Sequence, residues 1–272
     1  MYHRTARVLE HVKLAERTFR VRLECPELAA AIRPGQFLML RLPNTSDPLL
    51  GRPFALYDTV LDGGKPVAVD VVYLVVGKMT SRLVGVAAGE SLQVWGPLGK
   101  PFLDVGTPDR LVLVAGGIGQ TPFLAYAREL LGTRGFGGDA PRARTKHVSL
   151  YYGVRNAGLA ACVEDFRAAG VDVHLASDDG SIGTKGFVTQ LLDSHGKVGP
   201  LVGCGPEPML HALAKLAARW SVPCQVSLET PMACGVGICF SCVAKVKTPD
   251  GDDYKRVCVD GPCFDAAKLV WE

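Results

Sequence analysis

The chain has 272 residues, room for two or more domains at roughly 100–200 residues each, and 48% of them are apolar, ample for sizeable cores. A formal net charge of +3 is too small to argue for a nucleic-acid partner. No run approaches the roughly 18 apolar residues of a membrane span, and the first ten residues lack the apolar stretch of a secretory signal. Nine cysteines without an export signal suit a reducing cytoplasm, where some thiols bind metal and others fill cores.

Short β-like runs between turns occupy the first part of the chain. Residues 20–23 alternate, 37–42 form a strand after the Pro34-Gly35 turn, 67–76 are nearly all apolar, and 91–95 run between Gly89 and the Gly96-Pro97 turn. Many short strands punctuated by Gly and Pro predict an all-β sandwich or barrel over residues 1–104. The pattern changes near Thr107-Pro108. Residues 111–115 are a short buried run, followed at once by Gly116-Gly117-Ile118-Gly119. Thr121 is placed as a helix N-cap and Pro122 as the first helical residue, with Phe123, Leu124, Ala127, Leu130 and Leu131 on one face and Gly132 as the stop. Strands at 148–152, 171–176 and 200–203 alternate with helices at 158–169, 186–193 and 207–220. That alternation predicts a parallel sheet over 107–224. The Gly- and Arg-rich segment 132–145 reads as a loop with a solvated basic face. A last strand at 225–228 opens a tail, 225–272, that is short for a core of its own. A bound metal cluster is expected to staple it.

Two Gly-rich turns join strand to helix in the second part. They are the turn at 116–122 and Gly203-Cys204-Gly205-Pro206-Glu207-Pro208-Met209. Glycines permit close backbone approach, and a helix N-terminus presents free N–H groups and a positive dipole end to phosphate. The same glycines also make ordinary βα turns, and the spacing is not G-x-G-x-x-G. At the C-terminal ends of parallel strands the two turns frame a nucleotide crevice. Its candidate contacts are Gly116, Gly117, Gly119, Gln120, Thr121, Cys204 and Gly205. Cys204 either faces a nicotinamide or is a small buried residue. In the β-rich part, Arg52 follows a loop; it either pairs with a pyrophosphate or is an ordinary surface Arg.

The tail carries the most specific signal. Cys234, Cys239, Cys242 and Cys258 are spaced C-x4-C-x2-C-x15-C. The first three follow the plant-type [2Fe–2S] spacing, in which a tight loop presents thiolates and a distant Cys closes the site. Gly235 and Gly237 let the backbone fold around a cluster and aim N–H groups at its sulfurs. Zinc also takes four thiolates, but its knuckles usually pair cysteines on both sides, whereas the second half here supplies a lone Cys258. A disulfide framework is the third reading, and a reducing compartment disfavours it. A [2Fe–2S] cluster moves one electron at a time, which constrains the role of everything upstream.

Taken together, the motifs resemble a known family. Pro34-Gly35-Gln36-Phe37, Arg52-Pro53-Phe54-Ala55 and Gly89-Glu90-Ser91-Leu92 with Gly96-Pro97-Leu98-Gly99 are similar to the flavin domain of the ferredoxin-reductase superfamily. The two Gly-rich turns are similar to its pyridine-nucleotide domain. Met232-Ala233-Cys234 through Cys242, with Tyr254-Lys255-Arg256-Val257-Cys258-Val259-Asp260-Gly261-Pro262, resembles the electron-transfer subunits of NAD-dependent dihydroorotate dehydrogenases. Oxygenase reductases of the superfamily also carry a C-terminal cluster domain, but theirs is a complete ferredoxin-like fold about twice as long as this tail.

The resemblance covers essentially the whole chain and implies a multidomain β plus α/β architecture. An N-terminal antiparallel β-barrel flavin domain, a parallel-sheet nucleotide domain and a small [2Fe–2S] tail are expected. It implies FAD contacts at Arg52, Pro53, Phe54, Ala55, Val72, Tyr73, Leu74, Met79 and Thr80. Three positions depart from the family: Ala55 replaces a hydroxyl residue, Leu74 a frequent Arg, and Met79 a Gly. It also implies NAD as acceptor and a separate FMN-containing catalytic subunit, in a heterotetramer of two of each. The electron order would be dihydroorotate, FMN, cluster, FAD, NAD⁺. No acid/base pair for dihydroorotate is evident in this chain, which places that chemistry on the partner. The rivals are a similar subunit serving a hydrogenase or a ferredoxin:NADP oxidoreductase, and a non-enzymatic zinc- or cluster-stabilised binding or sensing protein. Cys263, five residues past the last ligand, is either packing or a spare ligand.

Overall fold

The computed structural model describes residues 1–271; residue 272, the last of the expected tail, lies outside them. The described residues form two seven-stranded sheets and one two-stranded ribbon. Strands β1 (Tyr2–Ala15), β2 (Thr18–Glu24), β3 (Phe37–Arg41), β4 (Arg52–Ala55), β5 (Asp58–Asp62), β6 (Lys65–Leu74) and β7 (Ser91–Leu98) make the first sheet. Their order is β4-β3-β7-β1-β2-β6-β5, antiparallel throughout. The sheet curls into an open half-barrel. Two short helices accompany it, α1 (Pro26–Ala31) and α2 (Lys78–Leu83). Alternation sets its inner face: Val21 and Leu23 are buried, while Arg20 and Arg22 between them reach out to Glu10 and Asp70. The long β1 has no counterpart in the sequence reading. Between Tyr2 and Val8 only Ala6 and Val8 are buried, so it carries no apolar run to mark it.

The second sheet contains β8 (Arg110–Gly116), β9 (His147–Val154), β10 (Asp172–Ser177), β11 (Thr184–Lys185), β12 (Leu201–Cys204) and β13 (Cys224–Ser227). Its helices are α3 (Phe123–Leu130), α4 (Val163–Ala168), α5 (Val188–Ser194) and α6 (Glu207–Trp220). The central β8 has both faces covered, and Leu111 through Ala115 are fully buried, as a parallel strand between two helix layers requires. The start of α3 differs from expectation. Gly117–Gln120 form a turn of 3-10 helix, Thr121 is already helical at φ −59, and Pro122 holds the cap position without a side-chain bond. The expected helix over 158–169 splits into a single turn at Ala157–Leu159 and α4, because Cys162 between them is left-handed.

The tail adds a ribbon, β14 (Val243–Thr248) with β15 (Gly251–Arg256), and an edge strand, β16 (Cys263–Asp265). β16 pairs antiparallel with β13, so the sheet order is β11-β10-β9-β8-β12-β13-β16. Among the described residues the tail has no separate core. Val257, Cys242 and Cys258 pack with Phe37, Met39 and Leu98 of the half-barrel.

Polar contacts join the half-barrel to the parallel sheet. The Ala125 N–H donates to the Tyr57 carbonyl at 3.2 Å, and Arg128 pairs with the nearly buried Asp58. The loop at 132–145 is not the solvated basic face expected of it. Arg134 donates to the Thr59 carbonyl at 2.6 Å, Arg144 pairs with Asp104, and Phe136 is buried against the half-barrel core. Among the described residues no helix is long and apolar enough to cross a membrane.

Candidate functional site

A cleft of about 830 Å³ lies where half-barrel, parallel sheet and tail meet. Arg52, Pro53, Phe54, Ala55, Val72, Tyr73, Leu74, Met79 and Thr80 all line it. Adjacent strands explain the convergence, since β3 lies beside β4 and the end of β6 reaches α2. The walls are largely apolar with a few fixed polar groups, the usual make-up of a cofactor pocket. Phe54 packs edge-on against Tyr73 with ring centroids 6.0 Å apart. The Tyr73 hydroxyl is 2.9 Å from the His11 Nε2, and burial pushes its pKa up. Thr80 accepts from the Val76 and Gly77 N–H groups at 3.0 and 3.1 Å, tying down the start of α2. Arg52 is exposed, and its Nη1 donates to the carbonyls of Leu50 and Gly51 at 3.1 and 3.0 Å. Its guanidinium retains donors for an anion.

The two Gly-rich turns meet each other on the opposite side. A Cβ on Gly119 would stand 2.3 Å from the Cys204 carbonyl oxygen, so only glycine permits this approach. Gly119, Thr121 and Cys204 line the cleft; Gly116, Gly117, Gln120 and Gly205 do not. Gly116 and Gly205 are in mutual contact and against Met209. Gln120 is fully buried and turned toward Cys162. Burial drives the Cys204 thiol up to about 12, and the nearby Glu229 carboxylate adds to the effect.

Sequence reasoning missed the third wall, which includes Ser227, Glu229, Thr230, Met232 and Ala233. This segment has no ligand pattern. Its signal is topological: chain leaving the C-terminal end of β13 must cross the crevice to reach the cysteines.

The cluster loop continues directly from that wall. Gly235, Gly237 and Phe240 all have positive φ, at 73°, 83° and 55°, which winds the loop into a tight ring. A Cβ at Gly237 would lie 2.6 Å from the Val259 side chain. Cys239 lies beside Cys234 and Cys258 beside Cys242, and Cys234 is also close enough to act on the Cys258 thiol. Among the described residues no three His, Cys, Asp or Glu converge as around one ion. Two thiolates on each of two bridged irons is the arrangement a [2Fe–2S] cluster takes, so the donor set fits that group. The Val236 N–H points at the Cys234 sulfur at 3.4 Å. The Ser241 hydroxyl beside Cys239 lowers that thiol to about 6, whereas burial raises Cys258 to about 12. Arg256 donates to the Gly237 carbonyl at 3.0 Å and lies over the Phe240 ring. Cys263 sits apart from the loop on β16. It is buried beside Cys204 and Ser227, which makes it a packing residue.

Comparison with known proteins agrees with this layout. Residues 6–102 match an oxidoreductase FAD-binding domain, and residues 229–270 match the iron–sulfur cluster binding domain of dihydroorotate dehydrogenase B. The dihydroorotate dehydrogenase B (NAD(+)) electron transfer subunit of Desulforamulus reducens is 33% identical over 270 residues, covering 98% of both chains. That of Geobacillus kaustophilus is 37% identical over 260 residues, 94% of both chains. A solved NADH-dependent reduced ferredoxin-NADP oxidoreductase superposes with a TM-score of 0.82 at 27% identity, covering 98% of this chain and 90% of that one. Identity is higher to the dihydroorotate dehydrogenase subunits, so the ferredoxin:NADP rival is not favoured. With FAD-binding and iron–sulfur domains both present and relatedness running nearly end to end, the chain belongs to the family of dihydroorotate dehydrogenase B (NAD(+)) electron transfer subunits.

Proposed function

We propose that the chain passes electrons between a separate FMN-containing dihydroorotate dehydrogenase catalytic subunit and NAD⁺, in the pyrimidine biosynthesis of a cytoplasm, within a heterotetramer of two of each subunit. FAD would be held by Arg52, Pro53, Phe54, Ala55, Val72, Tyr73, Leu74, Met79 and Thr80. NAD would be held by the turns carrying Gly116, Gly117, Gly119, Gln120, Thr121, Cys204 and Gly205. Cys234, Cys239, Cys242 and Cys258 would hold the [2Fe–2S] cluster. When bound, the cluster supplies one-electron chemistry and the flavin exchanges two electrons with a nicotinamide.

One observation carries this reading. Ala233, beside Cys234, and Ser241, beside Cys242, line the same cleft as Arg52 and Ala55, so cluster and flavin sites share a wall. The residues of this chain bind, orient and exclude water. Phe54, Val72 and Met79 give the cleft an apolar floor, Arg52 offers donors to a pyrophosphate, and Cys204, kept neutral by burial, adds no charge beside a nicotinamide. Around the cluster loop Ile238, Phe240 and Tyr254 are exposed apolar residues, an apolar rim suited to docking another redox subunit.

Anaerobic purification followed by flavin, iron and sulfide analysis tests the reading. FAD, iron and acid-labile sulfide should all be present, and Arg52→Ala should weaken FAD binding about tenfold, the loss of one charge-assisted bond. A colourless, zinc-containing protein would refute it.

A further inference from the structure

Behind the cleft a run of polar groups, Tyr57 and Gln120 buried and Cys162 and Asp165 half-buried, links the strand carrying Arg52 and Ala55 to the turn carrying Gly119 and Thr121. Tyr57, two residues past Ala55, is 1% exposed. Its hydroxyl donates to the Asp165 Oδ2 at 2.5 Å and lies against the Cys162 thiol. Cys162 stands at φ +66, a conformation that non-glycine residues rarely adopt and that concentrates at functional sites. Its thiol contacts the Gln120 side chain on the other side. Gln120 is wholly buried, and its amide nitrogen and oxygen have no conventional hydrogen-bond partner. Packing therefore holds the Gln120 side chain, with the Cys162 sulfur beside it but no hydrogen bond between them. Buried polar groups are costly when poorly satisfied, yet buried Tyr57 and Gln120 meet here with half-buried Cys162 and Asp165, from the half-barrel, the Gly-rich turn, and α4 with its approach.

Their placement suggests what the cost maintains. Ala55 and Gly119 belong to different domains, and such domains move relative to one another unless something fixes them. Transfer between two stacked rings needs the reacting atoms about 3–3.5 Å apart. Tyr57 follows Ala55 closely and Gln120 follows Gly119 directly, so a shift at either end of the chain of contacts moves one wall against the other. We propose that Tyr57 is a positioning residue: through Asp165, Cys162 and Gln120 it sets the spacing between the flavin wall and the nicotinamide wall. This rests on the FAD and NAD reading given above.

The test compares the FAD-loaded chain with Tyr57→Phe, Asp165→Ala and Asp165→Asn, the last keeping an oxygen to accept the Tyr57 hydroxyl. In Tyr57→Phe and Asp165→Ala, flavin reduction at saturating NADH should slow by roughly tenfold, with little change in KM. The long-wavelength charge-transfer absorbance of the nicotinamide–flavin complex should weaken in parallel. In the cofactor-free chain, the amides of residues 117–121 should exchange hydrogen faster. Asp165→Asn should behave as wild type in all three measurements. An unchanged reduction rate and charge-transfer band in folded Tyr57→Phe would overturn the inference, as would Asp165→Asn as impaired as Asp165→Ala. If the wild-type flavin is reduced by neither NADH nor NADPH, the cofactor reading itself fails.

Discussion

The indole Nε1 of Trp95 donates to the carbonyl of Cys234 at 3.2 Å. A strand of the half-barrel thereby holds the backbone of Cys234, the first of the four proposed cluster ligands, and ties the tail to the half-barrel. Trp95→Phe keeps an aromatic ring, though a smaller one, and removes the donor. It should destabilise the chain by about 1 kcal/mol and speed the chelator-driven loss of the cluster absorbance that lies beyond the flavin bands, on the order of severalfold. Absorbance decay at wild-type rate would show that the bond does not restrain the loop.

Cluster content should depend on all four proposed ligand thiols. Serine at Cys234, Cys239, Cys242 or Cys258 should lose or cripple the cluster, because each removes one of four thiolates. Cys263→Ser should retain it, since Cys263 packs against Cys204 and Ser227 on the sheet edge. Iron and sulfide analysis decides. A cluster that survived Cys258→Ser but not Cys263→Ser would reverse the assignment.

The pairing of Arg128 with Asp58 should matter more than a surface ion pair, because the Asp58 side chain is only 10% exposed. Burial pushes the Asp58 carboxyl up while Arg128 and then Arg134 pull it down. Removing Arg128 leaves a buried carboxylate with one weaker partner, at a cost of about 3 kcal/mol. Urea unfolding of Arg128→Ala should show that loss, and adding Asp58→Ala should recover part of it. Additive losses in the double variant would mean that the two residues act independently.

Much of this was legible because it depends on local chemistry. Four thiolates at ligand spacing identify themselves, and α6 has its expected bounds because Leu210, Leu213 and Ala217 recur at helical spacing. What escaped depends on distant chain. The cleft wall from Ser227 to Ala233 has no pattern and becomes a wall only because the chain crosses there. Gln120 sits in a turn that reads as a ligand loop, yet the 3-10 geometry at Gly117–Gln120 turns it inward. The arginines at 134 and 144 look solvated until Thr59 and Asp104 are brought beside them.

The Cys204 thiol, raised to about 12 by burial, should be almost wholly protonated at neutral pH. Its alkylation by iodoacetamide should be slow, with a rate rising about tenfold per pH unit from 7 to 10 and no plateau, since only the thiolate reacts. Mass spectrometry of the peptide containing Cys204 measures this. Levelling off near pH 8 or 9 would show an ordinary, activated thiol facing the cleft.

The most direct measurement couples this chain to its proposed partner. Ile238 is 79% exposed and Phe240 63% exposed on the cluster loop, where a second redox subunit would dock. Co-expressed with an FMN-containing dihydroorotate dehydrogenase catalytic subunit from the same genome, the chain should co-purify and confer NAD⁺-dependent dihydroorotate oxidation. Ile238→Glu should cut that coupled activity by roughly tenfold or more, while NADH-to-dye activity stays within about twofold of wild type. Absence of a complex, or equal loss of both activities in Ile238→Glu with cluster and flavin retained, would contradict the assignment of this face as the route to the catalytic subunit.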